Sequence, residues 1–230
     1  QWEWEGLGCK ISNAYSASIF CDAHICLLAN CFRAAVACAA SQKMLASTQF
    51  AILFFMKIEK IVVGMLRANC YLLVDGGEAA VIDPGDEPRK IIDAIEKSGA
   101  KLKFIANTHR HFDHIGANAA VAEKFGVEVL ANLNDGDILA IGKSKLKVVK
   151  TPGHTPDGVC FFGDGFVVSG DTLFEDGIGR TDLEGGSDEQ MTASLKKLDA
   201  LIPDSAIIYP GHGNAFTYKK GIALEYLKWI

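Results

Sequence analysis

Three of the six histidines in this 230-residue chain fall within six consecutive positions, in the run THRHFDH (108–114). Side chains two residues apart point the same way from an extended chain, so His109 and His111 can bind one cation together. Asp113 and His114 follow where the chain turns into a helix, and they can face a second cation close by. This cluster of imidazoles and a carboxylate in a polar loop predicts a metal site.

Three further candidate ligands share a second feature, since each follows a short apolar run typical of a strand. They are His154 in TPGHTP, Asp171 in SGDTLF and His212 in YPGHG. A rigid sheet can direct such loops towards a common point. Imidazoles and carboxylates without thiolates suit Zn, Fe or Mn at a catalytic site, and two such ions about 3.5–4 Å apart can generate a hydroxide at neutral pH. The pattern therefore predicts metal-assisted hydrolysis.

The elements that must position these loops follow from periodicity and turn residues. Asp75-Gly76-Gly77 predicts a hairpin, and Ile91, Ile92 and Ile95 form the apolar stripe of a helix that starts near Pro88 and stops at Gly99. Predicted strands cover 71–74, 79–82, 104–107, 127–130, 146–149, 159–162, 166–169 and 206–209, and further helices cover 117–125 and 188–201. This order predicts a mixed, layered α/β domain rather than regular βαβ winding.

The runs HRHFDH, PGHTPDG, GDTLF and PGHG together resemble the metallo-β-lactamase superfamily, and most of all its glyoxalase II-type metallohydrolases. The resemblance covers residues 56–230 and implies a four-layer αββα sandwich with the metals at one edge of the two sheets. It assigns His109, His111 and His154 to a first metal, Asp113, His114 and His212 to a second, and Asp171 to both. It also implies two divalent ions, with Zn expected first and Fe or Mn as alternatives. Asp113 and Asp171 are the implied catalytic residues.

The activity that this resemblance implies is hydrolysis of a thioester of the hydroxyacylglutathione type by a metal-bridging hydroxide. The segment GIGRTD (177–182) is also similar to persulfide dioxygenases, so a mononuclear iron enzyme of that kind is the alternative, and a lactonase is another. A β-lactamase is less expected, because the most similar subclasses have a cysteine in place of Asp171 or lack His114. Longer glyoxalase II enzymes hold glutathione with a C-terminal helical domain, whereas 18 residues follow His212 here, so the thiol carrier stays open.

Asp83, in the run VIDPG, is the candidate acceptor for the outer N–H of a metal-binding imidazole. The alternative is that Asp83 only caps the turn before Pro84. Cys70 and Cys160 lie within predicted strands, and we expect them to be small core residues.

Residues 1–55 differ in composition from the remainder of the chain. They contain five of the seven cysteines, no proline and two of the 23 glycines, and their charges cancel. Their apolar stretches, 25–40 and 50–56, are shorter than the roughly 20 residues that cross a bilayer. We predict an atypical cysteine-rich extension that function does not need, with an anchor or interaction arm as the alternative, followed by a catalytic domain over 56–230.

Overall composition limits the partners. The chain is 49% hydrophobic and 22% charged, as is typical of a soluble globular protein. Its net charge of −5 argues against nucleic acid as a partner, because phosphate binding needs a basic face. Together with the activity that the resemblance implies, this composition leads us to expect a cytoplasmic enzyme that acts on a small-molecule thioester, without a membrane partner and with the oligomeric state left open.

Overall fold

The structure is a computed structural model that describes residues 56–230. The predictions for residues 1–55 lie outside the described residues. Within 56–230, no helix is long and apolar enough to cross a membrane.

Five strands form the first sheet, in the order β1-β2-β3-β4-β5. They are β1 Lys57–Val63, β2 Ala68–Asp75, β3 Glu78–Ile82, β4 Lys101–Ala106 and β5 Glu128–Leu130. Strands β1, β2 and β3 pair antiparallel, and the Gly76-Gly77 turn between β2 and β3 confirms the predicted hairpin. Strands β3, β4 and β5 pair parallel, so their carboxyl ends lie at one edge of the sheet.

Six strands form the second sheet, in the order β13-β12-β9-β8-β7-β6. They are β6 Ile138–Ile141, β7 Ser144–Lys150, β8 Val159–Phe162, β9 Phe166–Gly170, β12 Ile207–Pro210 and β13 Phe216–Thr217. Between β9 and β12, the short strands β10 Leu173–Phe174 and β11 Gly177–Ile178 form a separate ribbon. Strands β9 and β12 are parallel neighbours, so the loops that follow them emerge side by side.

The helices begin and end at recognisable residues. They are α1 Pro88–Ser98, α2 Phe112–Ile115, α3 Asn118–Phe125, α4 Asp188–Leu201 and α5 Ile222–Glu225, followed by a 3₁₀ helix over Tyr226–Trp229. Helix α1 ends at Gly99, which adopts the left-handed conformation that glycine tolerates, as predicted. Helix α4 begins after Ser187, whose hydroxyl accepts a hydrogen bond from the backbone N–H of Gln190 at 3.3 Å.

Three apolar clusters separate four layers. Ile91 and Ile95 of α1 pack with Val121 of α3 against the outer face of the first sheet. The second cluster lies between the sheets, and the third lies between the second sheet and α4 with α5. Burial of these apolar faces drives the layering. The predicted four-layer αββα sandwich is therefore confirmed.

All the predicted helices and strands are present, with bounds that differ by at most three residues. Sequence periodicity missed β1 and β6, the two-residue strands β10, β11 and β13, the short helices α2 and α5, and the final 3₁₀ helix. β1 is an edge strand with exposed or half-buried positions, which weakens the alternation of buried residues that would identify it. Helix α2 has four residues, too few for a helical period. Cys70 and Cys160 are fully buried, as predicted.

Candidate metal centre

The loops at one edge of the sandwich bring the seven predicted ligands together. His109 and His111 follow β4, His154 follows β7, Asp171 follows β9 and His212 follows β12. Asp113 and His114 lie in α2, which begins because the carbonyl of His111 accepts the backbone N–H of His114 at 2.9 Å. The assignment of these seven residues as metal ligands stays a prediction, but their side chains form two adjoining groups.

The first group consists of three imidazoles. His111 Nδ1 lies 3.1 Å from His109 Nε2 and 2.9 Å from His154 Nε2. Asp171 Oδ2 lies 3.7 Å from His154 Nε2. The three ring nitrogens and one carboxylate oxygen thus converge on one point, as the ligands of a single cation would.

The second group consists of two imidazoles and a carboxylate. His212 Nε2 lies 3.2 Å from Asp113 Oδ2 and 3.4 Å from His114 Nε2. Asp171 reaches this group too, since its Oδ1 lies 3.6 Å from His114 Nε2 and its Oδ2 lies 3.6 Å from His212 Nε2. Asp171 therefore stands between the two groups, where a bridging carboxylate would stand.

The hydrogen-bond partners of His154 and His212 determine which ring nitrogen carries a proton. His154 Nδ1 lies 2.7 Å from the carbonyl oxygen of Arg180, and His212 Nδ1 lies 3.1 Å from that of Leu66. A carbonyl only accepts hydrogen bonds, so each Nδ1 carries a proton, and it is Nε2 of each ring that faces the cluster. The two Nε2 atoms are oriented to bind cations.

Asp83 orients His114 in the same way. This carboxylate is fully buried, and its Oδ2 lies 3.1 Å from His114 Nδ1. Its Oδ1 accepts the backbone N–H of Thr108 at 2.7 Å. Asp83 has φ 54°, an uncommon conformation for a non-glycine residue, which its buried hydrogen bonds stabilise. The expected contact between Asp83 and an imidazole of the site is confirmed. Asp83 therefore does more than cap the turn before Pro84.

Thr108 links Asp83 to the first group through its hydroxyl, a role that the sequence analysis did not predict. The Thr108 hydroxyl donates to Asp83 Oδ2 at 2.6 Å and lies 3.0 Å from His109 Nδ1. Because a hydroxyl has a single proton, it must accept from His109 Nδ1, which leaves His109 Nε2 with its lone pair towards the cluster. The signal available in the sequence was a hydroxyl residue directly before His109.

A family model described as the metallo-β-lactamase superfamily matches residues 63–140 and 129–212, which together make up more than half of the chain. The chain belongs to the metallo-β-lactamase superfamily. The matched span contains all seven residues of the two groups, so the superfamily match and the metal cluster fall on the same part of the molecule.

The chain aligns with most of the length of two curated relatives. The chain is 33% identical over 191 residues to the probable metallo-hydrolase YqgX of Bacillus subtilis, covering 69% of this chain and 90% of the relative. It is 32% identical over 197 residues to the hydroxyacylglutathione hydrolase GloC of Haemophilus influenzae, covering 70% and 93%. The chain is thus similar to metallo-hydrolases over nearly their full length.

Two solved structures share the fold at 28–30% sequence identity. TTHA1623 in a di-iron-bound form is 30% identical, with a TM-score of 0.66, over 75% of this chain and 100% of that chain. ETHE1 from Myxococcus xanthus is 28% identical, also with a TM-score of 0.66, over 70% and 80%.

Electrostatics prepare the first group to bind a cation. Burial and the neighbouring imidazoles hold the pKa of His109 far below its ordinary value, and burial also lowers the pKa of His111. Both rings are therefore neutral at physiological pH. A neutral imidazole is the form that binds a metal, so these two rings need no proton release.

The second group is electrostatically different because carboxylates surround its rings. Burial acts to lower the pKa of His114, but Asp83 and the neighbouring carboxylates outweigh it and raise that pKa to about 9. The hydrogen bond to Asp113 raises the pKa of His212. Burial also raises the pKa of Asp171. Two cations would offset the negative charge that this group concentrates.

Asp171 gives a direct test of whether the residues fit metal ions. Its Oδ1 is buried and has no hydrogen-bond partner among the described residues, an arrangement that costs free energy unless a cation binds there. The backbone of Gly211 passes so close that a Cβ at that position would lie 2.0 Å from this oxygen. The residues therefore fit two cations that share Asp171, and their nitrogen and oxygen atoms suit Zn, Fe or Mn.

Proposed function

We propose that this protein is a dinuclear metal-dependent hydrolase that cleaves a thioester of the hydroxyacylglutathione type. The observation that carries the proposal is the pair of ligand groups that share Asp171. The likeness to a relative named hydroxyacylglutathione hydrolase supports the choice of substrate.

The reaction breaks the C–S bond of the thioester and forms a C–O bond from water, with a proton passing to the thiolate sulfur. His109, His111, His154 and Asp171 would hold one divalent ion, and Asp113, His114, His212 and Asp171 the other. When bound, the ions would polarise the carbonyl and lower the pKa of water.

The chain's own residues keep this centre rigid and orient the nucleophile. Asp113 is partly exposed, and its Oδ2 lies 3.2 Å from His212 Nε2, so it can accept a hydrogen bond from the attacking water and orient it. The carbonyls of Arg180 and Leu66 and the carboxylate of Asp83 fix the imidazoles. Such fixed dipoles need no reorganisation as the charge on the substrate oxygen develops.

A second candidate is a mononuclear iron persulfide dioxygenase. The likeness to the ETHE1 structure and the resemblance of residues 177–182 to persulfide dioxygenases favour it. Such an enzyme would need one iron, held by histidines of the first group and Asp171, in an open site of two histidines and a carboxylate. It would have little use for the second group.

The test uses thiol release from S-lactoylglutathione and oxygen uptake with glutathione persulfide, with metal analysis of the same preparations. We expect thiol release without oxygen uptake, close to two metal ions per chain, and loss of activity after chelation. His114→Ala should reduce thiol release severely, because it removes a ligand of the second ion. Oxygen uptake that survives His114→Ala would overturn the hydrolase proposal in favour of the dioxygenase, and thiol release after complete metal removal would overturn both.

A further inference from the structure

Strand β2 contributes two polar side chains to the mainly apolar layer between the two sheets. Asn69 and Tyr71 lie two residues apart, so they point to the same face of the strand, and both are buried. Tyr71 belongs to the apolar cluster between the sheets, whereas Cys70 belongs to the cluster on the outer face of the first sheet. Burial of an amide and a hydroxyl costs free energy unless both form hydrogen bonds. The partners of these two polar groups therefore bear on their role.

Both side chains donate to the loop that carries His212. The amide nitrogen of Asn69 donates to the carbonyl of Pro210 at 2.8 Å and to that of Gly213 at 3.0 Å. The Tyr71 hydroxyl donates to the same Pro210 carbonyl at 2.6 Å. Because carbonyls only accept hydrogen bonds, it is the NH₂ group of Asn69 that faces the loop, and both of its protons have partners.

The strand that leads into this loop is irregular at the point where the two donors reach it. Strand β12 has four residues, and its register against β9 shifts between Tyr209 and Pro210. A shift of this kind changes the direction in which the following side chains point. Pro210 also has no N–H to donate to the neighbouring strand. Hydrogen bonds from the first sheet thus hold an irregular segment of the second sheet, directly before His212.

The placement of this loop decides the geometry of the second ligand group. His212 Nε2 lies 3.2 Å from Asp113 Oδ2. Gly211, directly before His212, passes so close to Asp171 that a Cβ there would lie 2.0 Å from Asp171 Oδ1. The backbone N–H of Asn69 donates to the carbonyl of Gly211 at 2.7 Å, so Asn69 holds the loop with its main chain as well as its side chain. Displacement of the loop would move His212 away from the other ligands.

We propose that Asn69 and Tyr71 are positioning residues that hold the loop 210–213 between the two sheets and thereby set the affinity of the second metal. The inference rests on the proposed function, because it assumes a dinuclear centre. Both residues act through backbone carbonyls rather than by binding an ion. A loop that is ordered before the ion arrives loses less conformational entropy when the ion binds. A merely structural role would instead lower the stability of the fold and leave the ion affinities unchanged.

The affinity for Zn²⁺ at each metal position tests this proposal. In the full chain, His154→Ala leaves the second position and His212→Ala leaves the first, and competition with a chromophoric chelator gives the Zn²⁺ dissociation constant of each. We expect Tyr71→Phe to weaken Zn²⁺ binding about fivefold in the His154→Ala background, because one buried hydrogen bond to the loop is lost. In the His212→Ala background, Zn²⁺ binding should stay unchanged, because the loop there supplies no ligand.

Tyr218→Phe is the matched control for Tyr71→Phe. Tyr218 is also fully buried, and its hydroxyl donates to Asp199 Oδ1 at 2.6 Å, in the cluster between the second sheet and α4. We expect Tyr218→Phe to lower the melting temperature while both Zn²⁺ affinities stay at their starting values. If Tyr71→Phe gives this same result, or weakens both metal positions equally, the proposal is overturned.

A second variant tests the amide. Asn69→Asp keeps the shape of the side chain but places acceptor oxygens against the carbonyls of Pro210 and Gly213. We expect it to weaken Zn²⁺ binding at the second position by about 10–100-fold, a larger loss than in Tyr71→Phe. If Asn69→Asp does not fold, Tyr71→Phe alone decides the question.

Metal binding also separates failure of this inference from failure of the proposed function. A wild-type chain that binds a single Zn²⁺ ion would overturn the dinuclear centre and this inference together. Two ions in the wild type, with unchanged affinity at the second position in Tyr71→Phe, would overturn this inference and leave the proposed function standing. Selective weakening of the second position in a chain that hydrolyses no thioester would support the positioning role and contradict the proposed function.

Discussion

At the scale of single residues, Asp83 and Thr108 connect the two ligand groups through one buried carboxylate. Asp83 Oδ2 lies 3.1 Å from His114 Nδ1 and accepts the Thr108 hydroxyl, which in turn faces His109 Nδ1. Each imidazole thereby presents a lone pair to its own metal position. One carboxylate thus sets the tautomers of a ring in each group.

This arrangement predicts the effect of changing Thr108. Thr108→Val keeps the side-chain shape but removes the hydroxyl, so His109 loses its acceptor and Asp83 loses a donor. We expect the affinity of the first metal to fall by about 10–100-fold, as measured by competition with a chelator. Thr108→Ser restores the hydroxyl and should recover most of that affinity. Unchanged affinity in Thr108→Val would show that the hydroxyl does not position His109.

The contrasting pKa shifts of the two groups predict an order of metal loss with pH. The pKa values of His114 and His212 are raised, so protons begin to displace the second metal at a relatively high pH. Burial lowers the pKa of His109, so protons displace the first metal only at a lower pH. Single-site variants separate the two positions. Between about pH 8 and pH 5, the ion left in His212→Ala should persist to lower pH than the ion left in His154→Ala. The opposite order of release would contradict this reading of the electrostatics.

The sequence predicted which side chains come together at the site better than it predicted their supporting contacts, for a physical reason. His109, His111, Asp113 and His114 are neighbours in the chain, so their local spacing already restricts where they point. The hydrogen bond from His212 to the carbonyl of Leu66 joins residues far apart in sequence through backbone atoms. Contacts of this kind leave no trace in residue types, and only the fold creates them.

At the scale of elements, the parallel pair β9 and β12 brings two site loops into backbone contact. The N–H of Gly211 donates to the carbonyl of Gly170 at 2.8 Å, and the carbonyl of Gly211 accepts from the N–H of Asn69 at 2.7 Å. Gly211 is thus fixed against Asp171, where only a residue without a Cβ leaves the carboxylate in place.

This close packing predicts the result of Gly211→Ala. The new Cβ would lie 2.0 Å from Asp171 Oδ1 and 2.8 Å from His114 Cε1, so Asp171 must shift from its shared position. We expect loss of one or both metals and of hydrolysis, as measured by metal analysis and turnover. Gly213→Ala is the control, because Gly213 also has a positive φ but no atom lies within 4 Å of the position a Cβ would take. This variant should lose about 1–2 kcal/mol of unfolding free energy and keep its metal. Native metal content in Gly211→Ala would show that the loop can shift to accommodate the added methyl group.

The strands β8 and β9, whose two faces are buried, were predicted to within one residue of their observed bounds. Positions 159–162 were predicted with the observed bounds of β8, which is almost entirely buried. The edge strand β6 is an apolar run of only four residues, and Ile138 within it is exposed, so the run is too short to establish a strand alternation. Edge elements take their structure from a neighbouring strand, which is information that their own residues do not contain.

At the scale of the whole molecule, residues 56–230 contain a complete layered fold. All three apolar clusters are built from residues of this span, and so are both ligand groups. A span of this length with its own cores is a normal size for an independently folding domain.

We accordingly predict that a protein that begins at Met56 retains the melting temperature, metal content and thioester turnover of the full chain. The physical reason is that the four layers and the seven ligands all lie within 56–230. Thermal denaturation followed by circular dichroism, with metal analysis of both proteins, makes the comparison. A large decrease in melting temperature or in metal content on truncation would show that residues 1–55 pack on the domain. Loss of vesicle binding alone, with catalysis unchanged, would instead assign those residues to an anchor.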